Sequence, residues 1–408
     1  MQDFKTLLRQ QVVQFDGGFG TMINAQGLIA PCMESLNLTH PDAVQAVHAA
    51  YVAAGAQVVE THSLCTNPLQ LRAHGLEDQT EALARAAVQN ARAVAKNNAL
   101  VAYSVGTLGA FLAPLGDLTL DEAVALYTRP MTTAAQAGAD LFIIETMTDI
   151  ADMRAAILAA LPLLLPIVAS YTFQPNGRTL TGGTPACAAL ATEALGVTAV
   201  GINCSTGPQA MREPLAEMRA ATRLPIIVQP NAGLPATDEA GHAHYAMSAE
   251  AMAPWMKTIL EGGASGIGGC CGTTPAHVAR MAALCASLPP LPVRDGQPLI
   301  CSDRALLPLS QALASHAVCA LNAPDVSPLY DLDAPEALLL DVTALTPPQI
   351  ADALPQAQAV CHAPRLLRAQ GVEGLTAALR AYVGRAGVVD VPEGAQKAIE
   401  IYGALAEG

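Results

Sequence analysis

Over most of this 408-residue chain, apolar positions gather into short β-branched runs separated by longer stretches with helical spacing. The runs are VVQFD (12–16), AQVVET (56–61), ALVAYSV (99–105), ADLFIIE (139–145), PIVASYTF (166–173), TAVGINC (198–204), PIIVQPN (225–231) and ASGIGGCC (264–271). Near-continuous apolar runs of this length read as strands buried on both faces. Between them lie amphipathic stretches such as DAVQAVHAAYVAAG and DEAVALYTRPMTTAAQAG, each closing on a glycine suited to a helix C-terminus. Eight strand-then-helix units predict a (β/α)8 TIM barrel, an α/β fold whose usual size is about 250 residues.

The pattern changes after LCASLPPLPVRDGQPL, a Pro-rich segment that reads as an extended linker. Beyond it the apolar runs LICS, HAVCAL, EALLLDV, AQAVCHA and GVVDV alternate with Ala/Leu-rich helical patterns. The expected organisation is therefore a barrel over 1–290 and a small C-terminal α/β domain over 291–408. The second part carries neither a glycine-rich phosphate loop nor a spaced pair of metal ligands.

Composition narrows the range of partners. Hydrophobic residues make up 52% of the chain and charged ones 14%, a globular profile without a disorder signature. The net charge of −14 argues against nucleic acid and against an anionic membrane surface. The longest apolar stretch, AAILAALPLLLPIVAS, is interrupted by Pro162 and Pro166 and reads as helix end, loop and strand, not as a membrane span. MQDFKTLLRQQVVQFDGG shows no charged-then-apolar signal, so a cytoplasmic location is expected, with the ten cysteines reduced.

The chemistry concentrates where a barrel keeps it, at the C-terminal ends of the strands. The first strand ends in DGGFGTM, the second in ETHSLCTN, the fourth in Glu145, the sixth in GINCST, the seventh in QPNAG and the eighth in GGCCGTTP. Cys270 and Cys271 are adjacent in sequence, about 3.8 Å between Cα atoms, whereas a relaxed disulfide wants roughly 4.4–6.8 Å. Cys204, two strands earlier, belongs on the same rim. Three thiolates suit a zinc ion with three protein ligands and an open fourth position. So thiolate-rich a zinc is a weak Lewis acid toward water but still lowers the pKa of an incoming thiol, otherwise ~8.5. The expected reaction is alkylation of a substrate thiol.

DGGFGT, IIETMTDI, GRTLTGGTPA, GINCS, PNAG and GGCCGTTPAHV together resemble the zinc-dependent homocysteine S-methyltransferase family over residues 12–288. Within it they are most similar to the homocysteine-binding module of cobalamin-dependent methionine synthase. The resemblance implies Zn2+ held by Cys204, Cys270 and Cys271, homocysteine sulfur as fourth ligand, and methyl transfer giving methionine. It also implies a substrate pocket formed by Asp16, Gly17, Gly18, Thr21, Asn203 and Asn231, with Glu145 on the amino group and Asn231 near the metal before substrate arrives. Methylcobalamin is the implied donor, and the absence of an Asp-x-His-x-x-Gly motif leads to the expectation of a separate corrinoid protein as partner. S-Methylmethionine, S-adenosylmethionine and betaine are alternative donors, and a non-catalytic zinc- or thiol-binding subunit is the alternative outside enzymes.

Two stretches depart from the family pattern. The second strand runs into Thr61, His62, Ser63 and Leu64 where relatives have Thr-Asn-Thr-Phe, and Thr107 follows Gly106 where relatives have Gly-Pro. His62 is a pocket residue by position, without an assigned role, and the only candidate to close a structural zinc site. Competing readings are bland ones: a structural carboxylate at Glu145, a turn-shaping Asp16, and a helix-start His277. Core packing accounts for Cys32, Cys65, Cys187, Cys285, Cys301, Cys319 and Cys361.

Overall fold

The computed structural model describes residues 3–237, 243–290 and 295–407. Eight parallel strands lie at the expected places: β1 (Val13–Gln14), β2 (Val58–Glu60), β3 (Leu100–Val105), β4 (Leu141–Met147), β5 (Ile167–Tyr171), β6 (Ala199–Asn203), β7 (Ile226–Gln229) and β8 (Gly266–Ile267). They pair in the order β1-β8-β7-β6-β5-β4-β3-β2, and a parallel bridge from Phe15 to Val58 joins the two ends. This is the (β/α)8 barrel that the hydrophobic pattern predicts.

Strand alternation sorts the barrel interior from its outer wall. Val13, Phe15, Val58, Leu100, Ala102, Leu141, Ile143, Val168, Ala199 and Ile227 form one buried cluster that fills the lumen. Its floor is closed by the helix Phe4–Gln10, whose Phe4 and Leu8 join that cluster. Asp3 starts this helix by accepting the Thr6 amide at 3.0 Å, which satisfies one of the free first-turn donors. The opposite strand faces pack on the surrounding helices in a second, larger core.

Residues 291–294 of the segment expected as a linker lie outside the described residues; beyond them the chain forms an antiparallel hairpin (Leu299–Cys301 with Leu306–Pro308) and a five-stranded parallel sheet. That sheet runs in strict sequence order through Ala317–Ala320, Leu338–Asp341, Arg365–Arg368, Gly387–Val388 and Leu405–Ala406. HAVCAL, EALLLDV and GVVDV fall on its strands. AQAVCHA instead ends the helix Pro347–Val360, because Ala and Gln favour helix and the run is too short to separate the two by period. Arg365–Arg368 went unrecognised as a strand, since arginines flank its two leucines. The hairpin covers one sheet face through Ile300, Leu307, Leu339, Leu366 and Val389.

The C-terminal sheet and the barrel share a continuous apolar core. Arg154, on the barrel helix Ile150–Ala160, is 3% exposed. Its guanidinium donates to the carbonyls of Leu379 and Arg380 and lies 5.6 Å from the Tyr402 ring centroid. Burial brings its pKa down to about 10. Gly403 lies so close to the helix Pro185–Ala194 that a Cβ would sit 1.9 Å from the Ala194 carbonyl oxygen.

Candidate active site

Following each interior strand position upward by two residues changes the lumen from apolar to polar. Val58 leads to Glu60, Ala102 to Ser104, Ile143 to Glu145, Val168 to Ser170, Gly201 to Asn203 and Ile227 to Gln229. Six strands thus contribute one polar layer beneath the barrel mouth. Ser104 Oγ donates to Glu145 Oε1 at 2.6 Å, and Asn203 Nδ2 donates to Glu145 Oε2 at 3.1 Å. Ser170 Oγ and the Thr146 amide both donate to Asn203 Oδ1. Across the lumen, Gln229 Nε2 donates to Glu60 Oε1 at 2.7 Å.

Asp16 joins this layer from the loop after β1, with Oδ2 accepting the Glu60 amide at 2.9 Å. Its Oδ1 is buried and without a partner, as are Gln229 Oε1 and Asn231 Oδ1. Burial raises the carboxyls of Asp16, Glu60 and Glu145 above their ordinary range, Glu145 to about 7, and neighbouring carboxylates add to the first two. No basic side chain pairs with any of the three among the described residues. The layer is rich in acceptors and short of donors.

Above it, the sulfur atoms of Cys204, Cys270 and Cys271 lie within 4.8 Å of one another. Cys204 and Ser205 leave β6 with φ of 61° and 58°, a left-handed turn that non-glycine residues adopt at a cost. The Cys204 amide donates to the Gln229 carbonyl at 3.1 Å, and the Cys270 amide to the Pro230 carbonyl at 2.9 Å. Both cysteine loops are therefore anchored on β7. Hydrogen bonds from Cys204 and Cys270, with a further one from Tyr245, hold the Cys271 thiol down at about 3. Tyr245 arrives on an antiparallel hairpin (Pro235–Thr237 with Ala243–Tyr245) and lies flush on Gly272, where a Cβ would come within 2.2 Å of the tyrosine Cβ.

The glycines of DGGFGT let the first loop lie against the cysteine loop. A Cβ at Gly18 would approach the Cys270 carbonyl oxygen to 2.6 Å, and one at Gly17 the Thr273 hydroxyl to 2.8 Å. Thr21 Oγ1 accepts the Gly272 amide at 2.8 Å, which ties the same two loops together. His62 lies behind this wall: its ring stacks on Phe19 with centroids 4.4 Å apart, and Nε2 is 2.9 Å from the Met33 carbonyl oxygen. Among the described residues the metal-competent group contains the three cysteines without His62. His277 is the third residue of its helix and shares a capping box with Thr274. Cys32, Cys187, Cys285, Cys301 and Cys319 are buried, and Cys65 and Cys361 half-buried.

A model of the homocysteine S-methyltransferase family matches residues 13–285, the whole barrel. The chain belongs to that family. Its members are methyltransferases, and this one is 33% identical over 304 residues to a methionine synthase of Mycobacterium tuberculosis (strain ATCC 25618 / H37Rv), covering 70% of this chain and 26% of that protein. A methionine synthase of Mycobacterium leprae (strain TN) is 33% identical over 306 residues, covering 70% and 25%. The chain thus spans about a quarter of the length of these curated relatives. Among solved structures, the metallated form of the homocysteine methyltransferase MmuM from Escherichia coli superposes with a TM-score of 0.59 at 27% identity, covering 69% of this chain and 98% of that one. No helix among the described residues of this homocysteine S-methyltransferase family member is long and apolar enough to cross a membrane.

The sequence singles out the cysteines, Asp16, Glu145, Asn203 and Asn231 as candidates, but not Glu60, Ser104, Ser170 and Gln229, which share the polar layer. The signal was available: each stands two residues beyond an interior apolar position, where the period of a barrel strand carries it to the lumen. A cavity of about 200 Å³ beside Cys204 was not foreseen either. It is lined by Phe173, Asn176, Met211, Glu213 and Glu217 among others, with no basic side chain among the described residues that line it.

Proposed function

We propose that this chain transfers a methyl group to the thiolate of homocysteine, giving methionine, at a zinc ion held by Cys204, Cys270 and Cys271. The observation that carries the reading is the convergence of three sulfurs, within 4.8 Å of one another, over an interior layer of unpaired acceptors. Three ligands on one tetrahedral zinc, each about 2.3 Å from the metal, stand just under 4 Å apart, so the cluster fits the ion. When bound, the zinc supplies the ionisation of an incoming thiol near neutral pH. The chain's own residues supply the rest. Asp16 Oδ1 and Glu145 offer negative acceptors to the substrate ammonium, while Ser104 and Asn203 fix the rotamer of Glu145. Asn231 Oδ1, buried and without a partner, offers a further acceptor beside the cysteines. Holding sulfur and ammonium at two points aligns the nucleophile for an in-line displacement, a large part of the rate advantage.

For the donor, the motifs favour methylcobalamin carried by a separate corrinoid protein. A second reading, a small sulfonium such as S-methylmethionine, is favoured by the cavity beside Cys204, where Glu213 and Glu217 are the charged side chains among the described residues of its lining. The free cysteines support a cytoplasmic location for the reaction. The test is metal analysis together with methionine formation from homocysteine, supplied in parallel with methylcobalamin, S-methylmethionine, S-adenosylmethionine and betaine. One zinc per chain and turnover with one donor class are expected, both lost in Cys204→Ala. Zinc without turnover for any donor would favour a binding subunit instead.

A further inference from the structure

The polar layer contains a carboxylate that the assignment above leaves unused. Glu60 ends β2, and its side chain reaches across the lumen to Gln229 on β7, residues 169 positions apart in sequence. In sheet order β8 stands between β7 and β1, so Gln229, Glu60 and Asp16 form an arc next to the strand that delivers Cys270 and Cys271. Within this arc the bonds are one-sided. Glu60 Oε1 is held by Gln229, and Asp16 Oδ2 by the Glu60 amide. Asp16 Oδ1 and Gln229 Oε1 have no donor although both are buried. Orphaned buried acceptors of this kind cost free energy until something donates to them.

The groups that face Glu60 are Asp16 on the β1 loop, Glu145 on β4 and Gln229 on β7. Among the described residues these three carboxylates have no paired cation in a poorly solvated lumen; burial raises all three, and carboxylate repulsion adds to Asp16 and Glu60. A primary ammonium has three N–H donors and one positive charge. It would answer both deficits at once.

We propose that Glu60 is a specificity-determining residue of the ammonium subsite, held in place by Gln229 as a positioning residue, and that the pair sets the preference for thiols bearing an α-amino group. The inference rests on the thiol-methylation reading and deepens it. Its physical content is that Glu60 contributes charge to the substrate's nitrogen end and nothing to its sulfur end. Removing the charge must then weaken amino-bearing thiols selectively.

The experiment is isothermal titration of the zinc-loaded full chain with L-homocysteine and with 4-mercaptobutyrate, its analogue without the amino group. Wild type is expected to bind homocysteine at least tenfold more tightly. Glu60→Gln, isosteric and uncharged, should lose about tenfold to hundredfold of that affinity, the range of a charged hydrogen bond, with 4-mercaptobutyrate unchanged within about twofold and one zinc retained. Gln229→Leu should shift homocysteine in the same direction by a smaller factor. In turnover, Glu60→Gln should raise KM for homocysteine and leave kcat nearly unaltered. Equal weakening of both thiols, no weakening of either, or loss of zinc would overturn the inference and make Glu60 structural. A fall in kcat at constant KM would overturn it in favour of a proton-accepting role. If wild type binds neither thiol, the thiol-methylation reading itself fails and the inference falls with it.

Discussion

Glu145 illustrates how one residue's environment sets a binding property. Its carboxyl is brought up to about 7 chiefly by burial, against the hydrogen bond from Ser104, which acts in the opposite direction. Only the ionised form attracts an ammonium. As pH falls below about 7 the carboxyl takes up a proton and that attraction is lost, so KM for homocysteine should rise by up to about tenfold per pH unit. A pH series from mildly acid to mildly alkaline conditions, with 4-mercaptobutyrate as reference, checks this. The acid limb should be present for the amino thiol, weaker for the analogue and flattened in Glu145→Gln. An identical acid limb for both thiols would locate the titration on the sulfur side instead.

At the scale of elements, the site depends on a floor as much as on a rim. The short helix Phe4–Gln10 closes the lumen with Phe4 and Leu8, and Phe4 meets Phe15 edge-on with ring centroids 6.1 Å apart. Phe15 immediately precedes Asp16, so this packing supports the loop that bears the carboxylate proposed to meet the substrate ammonium. Phe4→Ala should destabilise the protein by about 3–5 kcal/mol, the range for a fully buried aromatic side chain. Denaturant unfolding measures it, and a change under about 1 kcal/mol would show that the floor collapses without consequence for the barrel. The loops that bear the cysteines are constrained differently. They hang on β7 by backbone bonds and on DGGFGT by close contact, which is why a glycine stands at Gly18 against the Cys270 carbonyl.

For the whole molecule, the C-terminal sheet acts as a second wall of the barrel's outer core. Arg154 buries a guanidinium against carbonyls of the helix Gly371–Ala381, and Arg380 pairs with Asp121 on the barrel at 2.6 Å. Arg154→Ala would leave two buried carbonyls without donors and should cost about 2–4 kcal/mol. A chain ending near residue 290 should lose thermal stability outright and aggregate, because the faces of Ile150–Ala160 and Pro185–Ala194 would meet water. Size-exclusion chromatography and a melting curve of the shortened chain test this. A monodisperse fragment melting with the intact protein would refute the shared-core account.

Much of the fold was legible along the chain because a buried parallel strand and an amphipathic helix leave different periods in the sequence. Eight runs became eight strands, and the cysteines at the ends of the sixth and eighth runs pointed to one rim. The C-terminal sheet was read less completely: Arg365–Arg368 hides a strand behind arginines, and AQAVCHA has an apolar run's composition but ends a helix. Within the site, Glu145 stood out because it closes an unbroken apolar run, whereas Glu60 and Gln229 look ordinary in one dimension. By itself, then, the sequence determined the barrel, the family and the residues able to bind a metal, since those follow from local periodicity and from motif chemistry. Only the tertiary structure decided that three sulfurs lie within 4.8 Å of one another, that Glu60 meets Gln229 across 169 residues, and that Arg154 ties a barrel helix to the helix Gly371–Ala381. Each of these depends on barrel closure or docking, which bring together side chains that no local pattern relates.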